Sequence, residues 1–269
     1  MHAKSPGFPL RHERRKVAIF GVFLFTLVAT LLGANRRANA YRPFDGTDAD
    51  VAPVGEFELE LGPAHYYRAG GTNYVIAPAS VLNLGVVQRV ELVVDFQNFI
   101  ALGSPTDGGH RVQLRDTDVL AKIVLRPGVL QGGSGPSLAI EAGPLLPEFG
   151  VGTGYGGQAN IIVSLANELA AVHFNELIAD NRQRRLELFS SAIMEFGRDW
   201  RARPVAEVFV DHVSGGAKEY SALLGTIWPC WQTLALDLAA RAARLDGTLA
   251  WEIRLGFTWS ARVWGREGD

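Results

Sequence analysis

Beyond residue 41, hydrophobic and polar positions alternate with period two, in segments cut by Gly, Pro, Asn and Asp. Such alternation is the mark of a half-buried strand, and its regular recurrence marks an all-β chain. The clearest segment is 251–263. One face carries Trp251, Ile253, Leu255, Phe257, Trp259, Ala261 and Val263, and the other Glu252, Arg254, Gly256, Thr258 and Ser260. The same design recurs at 56–61, 90–98, 118–125, 137–143, 158–165 and 234–241. Fainter versions occupy 75–87, 169–178, 186–196, 203–212 and 220–228. The pattern thus predicts twelve strands, an even number that returns both ends of a closed barrel to one side.

The polarity of such a barrel has two solutions. A soluble barrel turns its apolar face inward, whereas a membrane barrel turns it to lipid and keeps polar residues for the lumen. Trp at both ends of the 251–263 face favours lipid, because indole sits well at headgroup level. No stretch beyond residue 41 supplies the 18 or more apolar residues of a spanning helix. The expected fold is therefore a closed antiparallel transmembrane β-barrel, with 251–264 paired against 56–61. Connections at 88–89, 197–200 and 231–233 are short, and those at 103–115, 147–157 and 180–184 are longer. That alternation suits periplasmic turns and extracellular loops. Residues 235–244 leave a helix open, since Ala and Arg are good helix formers.

The first forty residues change the picture of location. Arg11, Arg14, Arg15 and Lys16 precede an uncharged apolar run at 17–33, and Ala38-Asn39-Ala40 offers small residues for cleavage. This reads as an export signal cleaved after Ala40. Arg36 and Arg37, just past the apolar run, keep an uncleaved anchor as the alternative. The layout is then a signal peptide at 1–40, a periplasmic N-terminal segment at 41–54, an outer-membrane barrel at 55–264 and a tail at 265–269. The whole chain holds 26 basic and 28 acidic residues. The first forty hold seven and one, which leaves 19 and 27, a net of −8. That balance argues against nucleic acid. Cys230 is the only cysteine, so there is neither a disulfide framework nor a thiolate metal site.

By strand parity the inward face carries Glu56, Glu58, Glu60, Glu91, Asp95, Asp118, Lys122, Glu141, Asn160, His173, Asn175, Glu207, Asp237, Arg241, Glu252 and Arg254. These are the candidate lumen-lining residues. They describe either a salt-bridged interior or an acidic passage that favours cations or neutral polar solutes. Phe189, Arg241 and Arg254 are large enough to fill part of a twelve-strand interior. One constellation suggests an enzyme: His212 and Ser214 share a strand face, so the imidazole can activate the hydroxyl. Outer-membrane acyl hydrolases use such a pair, but Asp211 points to the opposite face and cannot orient the histidine. Gly150, Gly152, Gly154, Gly156 and Gly157 lack the Lys-Ser/Thr and the helix of a phosphate loop. No cofactor or metal is implied.

Several pieces in order complete the reading: Arg42-Pro43-Phe44 with Thr47-Asp48 and Asp50, then Gly55-Glu56-Phe57-Glu58-Leu59-Glu60. Asp118 with Lys122, Pro136-Ser137-Leu138-Ala139-Ile140-Glu141, Leu146-Pro147, His173-Phe174-Asn175 and Arg254-Leu255-Gly256-Phe257-Thr258-Trp259 follow. Together they resemble the outer-membrane transporter-like family named for the meta-pathway of phenol degradation. One departure is the loop after Leu146, which reads Pro147-Glu148-Phe149-Gly150 in place of a polar Thr-Gly run. The resemblance implies a barrel channel with no catalytic residues, passing small solutes, hydrophobic or aromatic compounds among them. Its partners would be outer-membrane lipid, the solute and, during biogenesis, the barrel-assembly machinery. The alternative is a structural or lipid-modifying barrel.

Overall fold

The computed structural model describes residues 42–104, 110–197 and 200–265. The signal peptide, its cleavage site and residues 266–269 of the tail lie outside the described residues. Twelve antiparallel strands close on themselves: β1 (Glu56–Ala69), β2 (Thr72–Val87), β3 (Val90–Ala101), β4 (Val112–Arg126), β5 (Ser137–Leu145) and β6 (Gly156–Ala166). They continue with β7 (Ala170–Asp180), β8 (Leu186–Phe196), β9 (Arg203–Val213), β10 (Lys218–Trp231), β11 (Leu234–Leu245) and β12 (Thr248–Arg262). Each strand pairs with its sequence neighbours, and β12 closes on β1 from Glu56↔Arg262 to Arg68↔Trp251. Lipid offers no hydrogen bonds to an open edge, so closure is what permits such a sheet in a membrane. Residues 235–244 lie in β11; the ladder partners and alternating burial of a strand override the helix propensity of Ala and Arg.

The strands run longer than the alternation alone suggests. β1 continues eight residues past Leu61, through a register irregularity between Leu61 and Ala64 that interrupts the period-two signal. The expected alternation of short and long connections holds only in part. At the end away from the termini, the β1–β2 and β11–β12 connections are only the pairs Gly70-Gly71 and Asp246-Gly247. At the end bearing the termini, the β4–β5 connection is long and includes a 3-10 turn (Val129–Gln131).

Sidedness follows the pleat. Leu255 and Ile161 are 52% and 53% exposed on the outer surface, whereas Glu58 and Arg254 are 6% and 7% exposed inside. Outward aromatics mark two levels. Tyr66 packs on Trp251 with ring centroids 4.9 Å apart, and Phe57 meets Trp259 at 6.4 Å. Trp251 and Trp259 are eight residues apart on β12, about 26 Å along the strand at ~3.3 Å per residue. With strands tilted about 35–45°, that is about 20 Å across the membrane, somewhat less than an apolar band about 25 Å tall between aromatic girdles.

Candidate functional site

The segment before β1 does not hang free of the barrel. Its described part, residues 42–54, lies inside the barrel and runs as a belt around the inner wall. It visits the strands in nearly descending order. Arg254 of β12 donates to the Pro43 carbonyl at 2.7 Å and to Asp45 Oδ1 at 2.8 Å, while Arg42 Nε lies 3.5 Å from Asp237 of β11. On β9, Glu207 accepts the backbone N–H groups of Asp45 and Gly46, both at 2.8 Å. On β7, Asn175 accepts the Thr47 N–H at 3.1 Å and donates to the Thr47 carbonyl at 2.9 Å. Ser164 of β6 accepts from Ala49, and Glu91 of β3 accepts from Ala52 at 2.6 Å. The belt then passes β2, where the Gly55 N–H donates to the Gly85 carbonyl, and enters β1.

The wall is shaped for this belt. A Cβ on Gly85 would sit 2.1 Å from the Pro53 carbonyl oxygen, and one on Gly256 2.4 Å from Arg42 Nε. Two apolar contacts complete the seat: Phe44 against Val205, Ile227 and Ala235, and Ala49 against Ala139, Ile162 and Leu130. A backbone stretch away from water must satisfy its N–H and C=O groups. Here side chains of the wall do this, which explains why inward strand positions carry Glu, Asn and Ser where a filled apolar core would carry Leu.

Ion pairs knit belt and wall together. Lys122 of β4 lies 3.4 Å from Glu91 and 3.6 Å from Asp48, and donates to Thr47 Oγ1 at 3.0 Å. Glu252 receives Arg241 and Arg254, each at 3.0 Å, and faces His65 Nδ1 at 3.2 Å. Arg42 Nη2 donates to His65 Nε2 at 2.7 Å. A guanidinium only donates, so Nε2 is the acceptor and the ring proton sits on Nδ1 toward Glu252. His173 pairs with Ser164 at 2.7 Å and lies 3.3 Å from Glu195. Outside the strands, Asp50 of the belt accepts from Gln131 at 3.0 Å; burial, reinforced by Asp48, pushes its pKa up to about 6.

Between the belt and the far rim lies a chamber of about 570 Å³. Its wall includes Glu58, Glu60, Glu91, Asp95, Asp118, Glu141, Lys122, Asn160 and Arg241, with Asp45, Asp48 and Asp50 of the belt. The structure adds residues that the alternation does not single out: Asp116, Glu148, Glu187, Asp211 and Glu219, and Arg182, whose guanidinium pairs with Asp118. Of the remaining lumen candidates, His173, Asn175, Glu207, Asp237, Glu252 and Arg254 are buried on the inner wall, where all but His173 hold the belt or the ion pairs that reach it. Glu56 is buried on the same wall where β1 begins. The role of Arg42 and of the belt was hidden, because a polar segment ahead of the first strand has no period to read. The wall glycines Gly85 and Gly256 were the available signal.

His212 and Ser214 are both exposed, and among the described residues no hydrogen bond joins them. Asp211 lines the chamber on the opposite face, so the acid that a nucleophilic serine needs is separated from the pair by the barrel wall.

No family model and no curated protein matches this chain. Solved structures do. An outer membrane channel from Pseudomonas putida F1 superposes with a TM-score of 0.56 at 10% identity, covering 81% of this chain and 100% of that one. A KdgM porin superposes with a TM-score of 0.50 at 7% identity, covering 76% and 98%. At these identities the likeness is one of fold, and the fold it gives this chain is that of outer-membrane barrel channels.

Proposed function

We propose that this protein is an outer-membrane channel for the passive passage of small solutes, of the type to which its sequence motifs are similar. The observation that carries the reading is the acid-lined chamber reaching from the belt to the rim. A barrel that served only as a membrane scaffold could fill its interior with side chains, as many small barrels do. The signal peptide directs export and is cleaved after Ala40, and the aromatic-rich β12 is the strand presented to the barrel-assembly machinery. The end bearing the termini faces the periplasm, so the belt narrows the periplasmic half of the passage and the chamber opens toward the cell exterior. Hydrophobic or aromatic compounds are among the solutes, in keeping with the family resemblance.

An acidic lining lowers the energy of a cation in a narrow, low-dielectric passage and raises that of an anion. In planar bilayers the purified protein should conduct with a cation preference. Replacing Glu58 and Glu141 together by glutamine should weaken that preference, and Ser214→Ala should leave conductance unchanged. Absence of any conductance or solute uptake, with Ser214-dependent release of fatty acid from lipid, would replace the channel by a lipid-modifying barrel.

A further inference from the structure

The outer face of the barrel is largely apolar, so the charges that do stand on it are informative. At the end away from the termini, Lys218 opens β10 and Arg244 lies one residue before the end of β11, both exposed. The pleat turns them outward, since Glu219 and Arg241, at the opposite parity on the same strands, line the chamber.

The register brings these cations together. Lys218 is the direct cross-strand partner of His212 on β9, and Tyr220 is that of Arg244. Lys218, two residues from Tyr220, is therefore the diagonal neighbour of Arg244, at a spacing of about 7–8 Å. Lys218 Nζ lies over the Tyr220 ring, 5.1 Å from its centroid. Arg244 Nε reaches the Gly247 carbonyl at 3.4 Å, which leaves both Nη groups without a hydrogen bond among the described residues.

No acid of the protein answers them. Among the described residues neither Lys218 nor Arg244 forms an ion pair, and the outward positions of β9 to β12 carry no carboxylate. Asp246 in the next turn is engaged with backbone, its Oδ1 accepting the Lys218 N–H at 2.9 Å. The height of the cluster says what kind of anion fits. Toward mid-barrel the same strands turn Val208, Val210, Leu224 and Leu238 outward, all exposed. Trp251 and Tyr66 mark the aromatic level at this end, and exposed Arg68, the cross-strand partner of Trp251, carries the positive row onto β1. Long cationic side chains above an apolar band reach headgroup level, and their N–H groups form strong charge-assisted hydrogen bonds to phosphate. An open sheet face encloses no free ion, whereas a lipid is also held by its acyl chains.

We propose that Lys218 and Arg244, with His212 as a further donor, bind a phosphate group on the headgroup of an outer-leaflet glycolipid whose acyl chains lie along Val210 and Leu224. This rests on the outer-membrane placement given above, with the termini at the periplasmic end, and not on conduction. The test is native mass spectrometry of the purified protein in dodecyl maltoside, titrated with lipid A and with lipid A stripped of its phosphates. Lipid A should bind roughly tenfold tighter or more. Lys218→Gln combined with Arg244→Gln should remove that preference, and Lys218→Arg should keep it. Arg89→Gln combined with Arg201→Gln, which removes two exposed charges at the opposite end, should leave it unchanged. None of these side chains forms an ion pair among the described residues, so each variant should fold as the parent does, which circular dichroism checks. Equal binding of the two lipids, or an equal loss in the two double variants, overturns the proposal. Binding of inorganic pyrophosphate as tight as that of lipid A would assign the cluster to free anions and overturns it as well. Planar-bilayer conductance decides the channel separately. A parent that binds lipid A without conducting refutes the channel and leaves this site, and one that conducts without preferring the phosphorylated lipid refutes the site and leaves the channel.

Discussion

Glu207 shows how much one inward residue does here. Its two carboxylate oxygens accept two successive backbone N–H groups of the belt, at Asp45 and Gly46, while the residue itself is 1% exposed. Glutamine in its place keeps one acceptor and turns an NH2 toward the second N–H. A buried donor left unmet costs about 1–3 kcal/mol. Glu207→Gln should therefore speed hydrogen exchange at Asp45 and Gly46, with the strand amides unchanged. On the outer face the cost has another origin. Leu255→Lys places a charge in the middle of the apolar band and should lower stability by about 2–4 kcal/mol, read from denaturant unfolding in lipid vesicles. Asp50 supplies a pH dependence with a definite sign. Its seated pKa of about 6 stands above the free value of 3.8, so the seated belt holds the proton more tightly. Seating is strongest below about pH 4, weakens as pH rises toward 6, and is level above that. Asp50 contributes this course to the exchange of belt amides, and Asp50→Asn should reduce their pH dependence between about pH 4 and 6.

At the scale of elements, belt and wall are complementary, and the glycines locate where. Gly85 sits in β2, where valine would be the better strand former. Its Cβ would meet the Pro53 carbonyl at 2.1 Å. Gly85→Val should leave the barrel closed but unseat the belt beside β2, raising single-channel conductance and exposing residues 42–54 to added protease. Conductance and proteolysis equal to those of the parent would show that the belt does not narrow the passage. The strands themselves were legible because lipid on one side and a polar lumen on the other impose period two on every one of them. The β1 extension was not, since the irregularity between Leu61 and Ala64 breaks the period where Gly62-Pro63 meets Arg42 and His65.

The whole molecule inverts the usual arrangement of a folded protein. Its interior is held by hydrogen bonds and ion pairs between wall and belt, and its apolar surface faces outward. Such an interior leaves a chamber of about 570 Å³ between belt and rim. At this scale belong the conductance, the cation preference and the effect of the Glu58→Gln, Glu141→Gln pair set out above.

The sequence by itself determined the number of strands and the apolar and polar faces of each, because these follow from short-range alternation along the chain. It also carried the excess of acid over base beyond residue 40. Only the tertiary structure decided what those inward residues do. Glu207, Asn175, Ser164 and Glu91 come from four strands spread over more than a hundred residues, yet all bind one thirteen-residue segment. Their partners are backbone groups, and every residue type carries the same backbone N–H and C=O. No residue pattern could reveal that pairing; the closure of the barrel around the belt creates it.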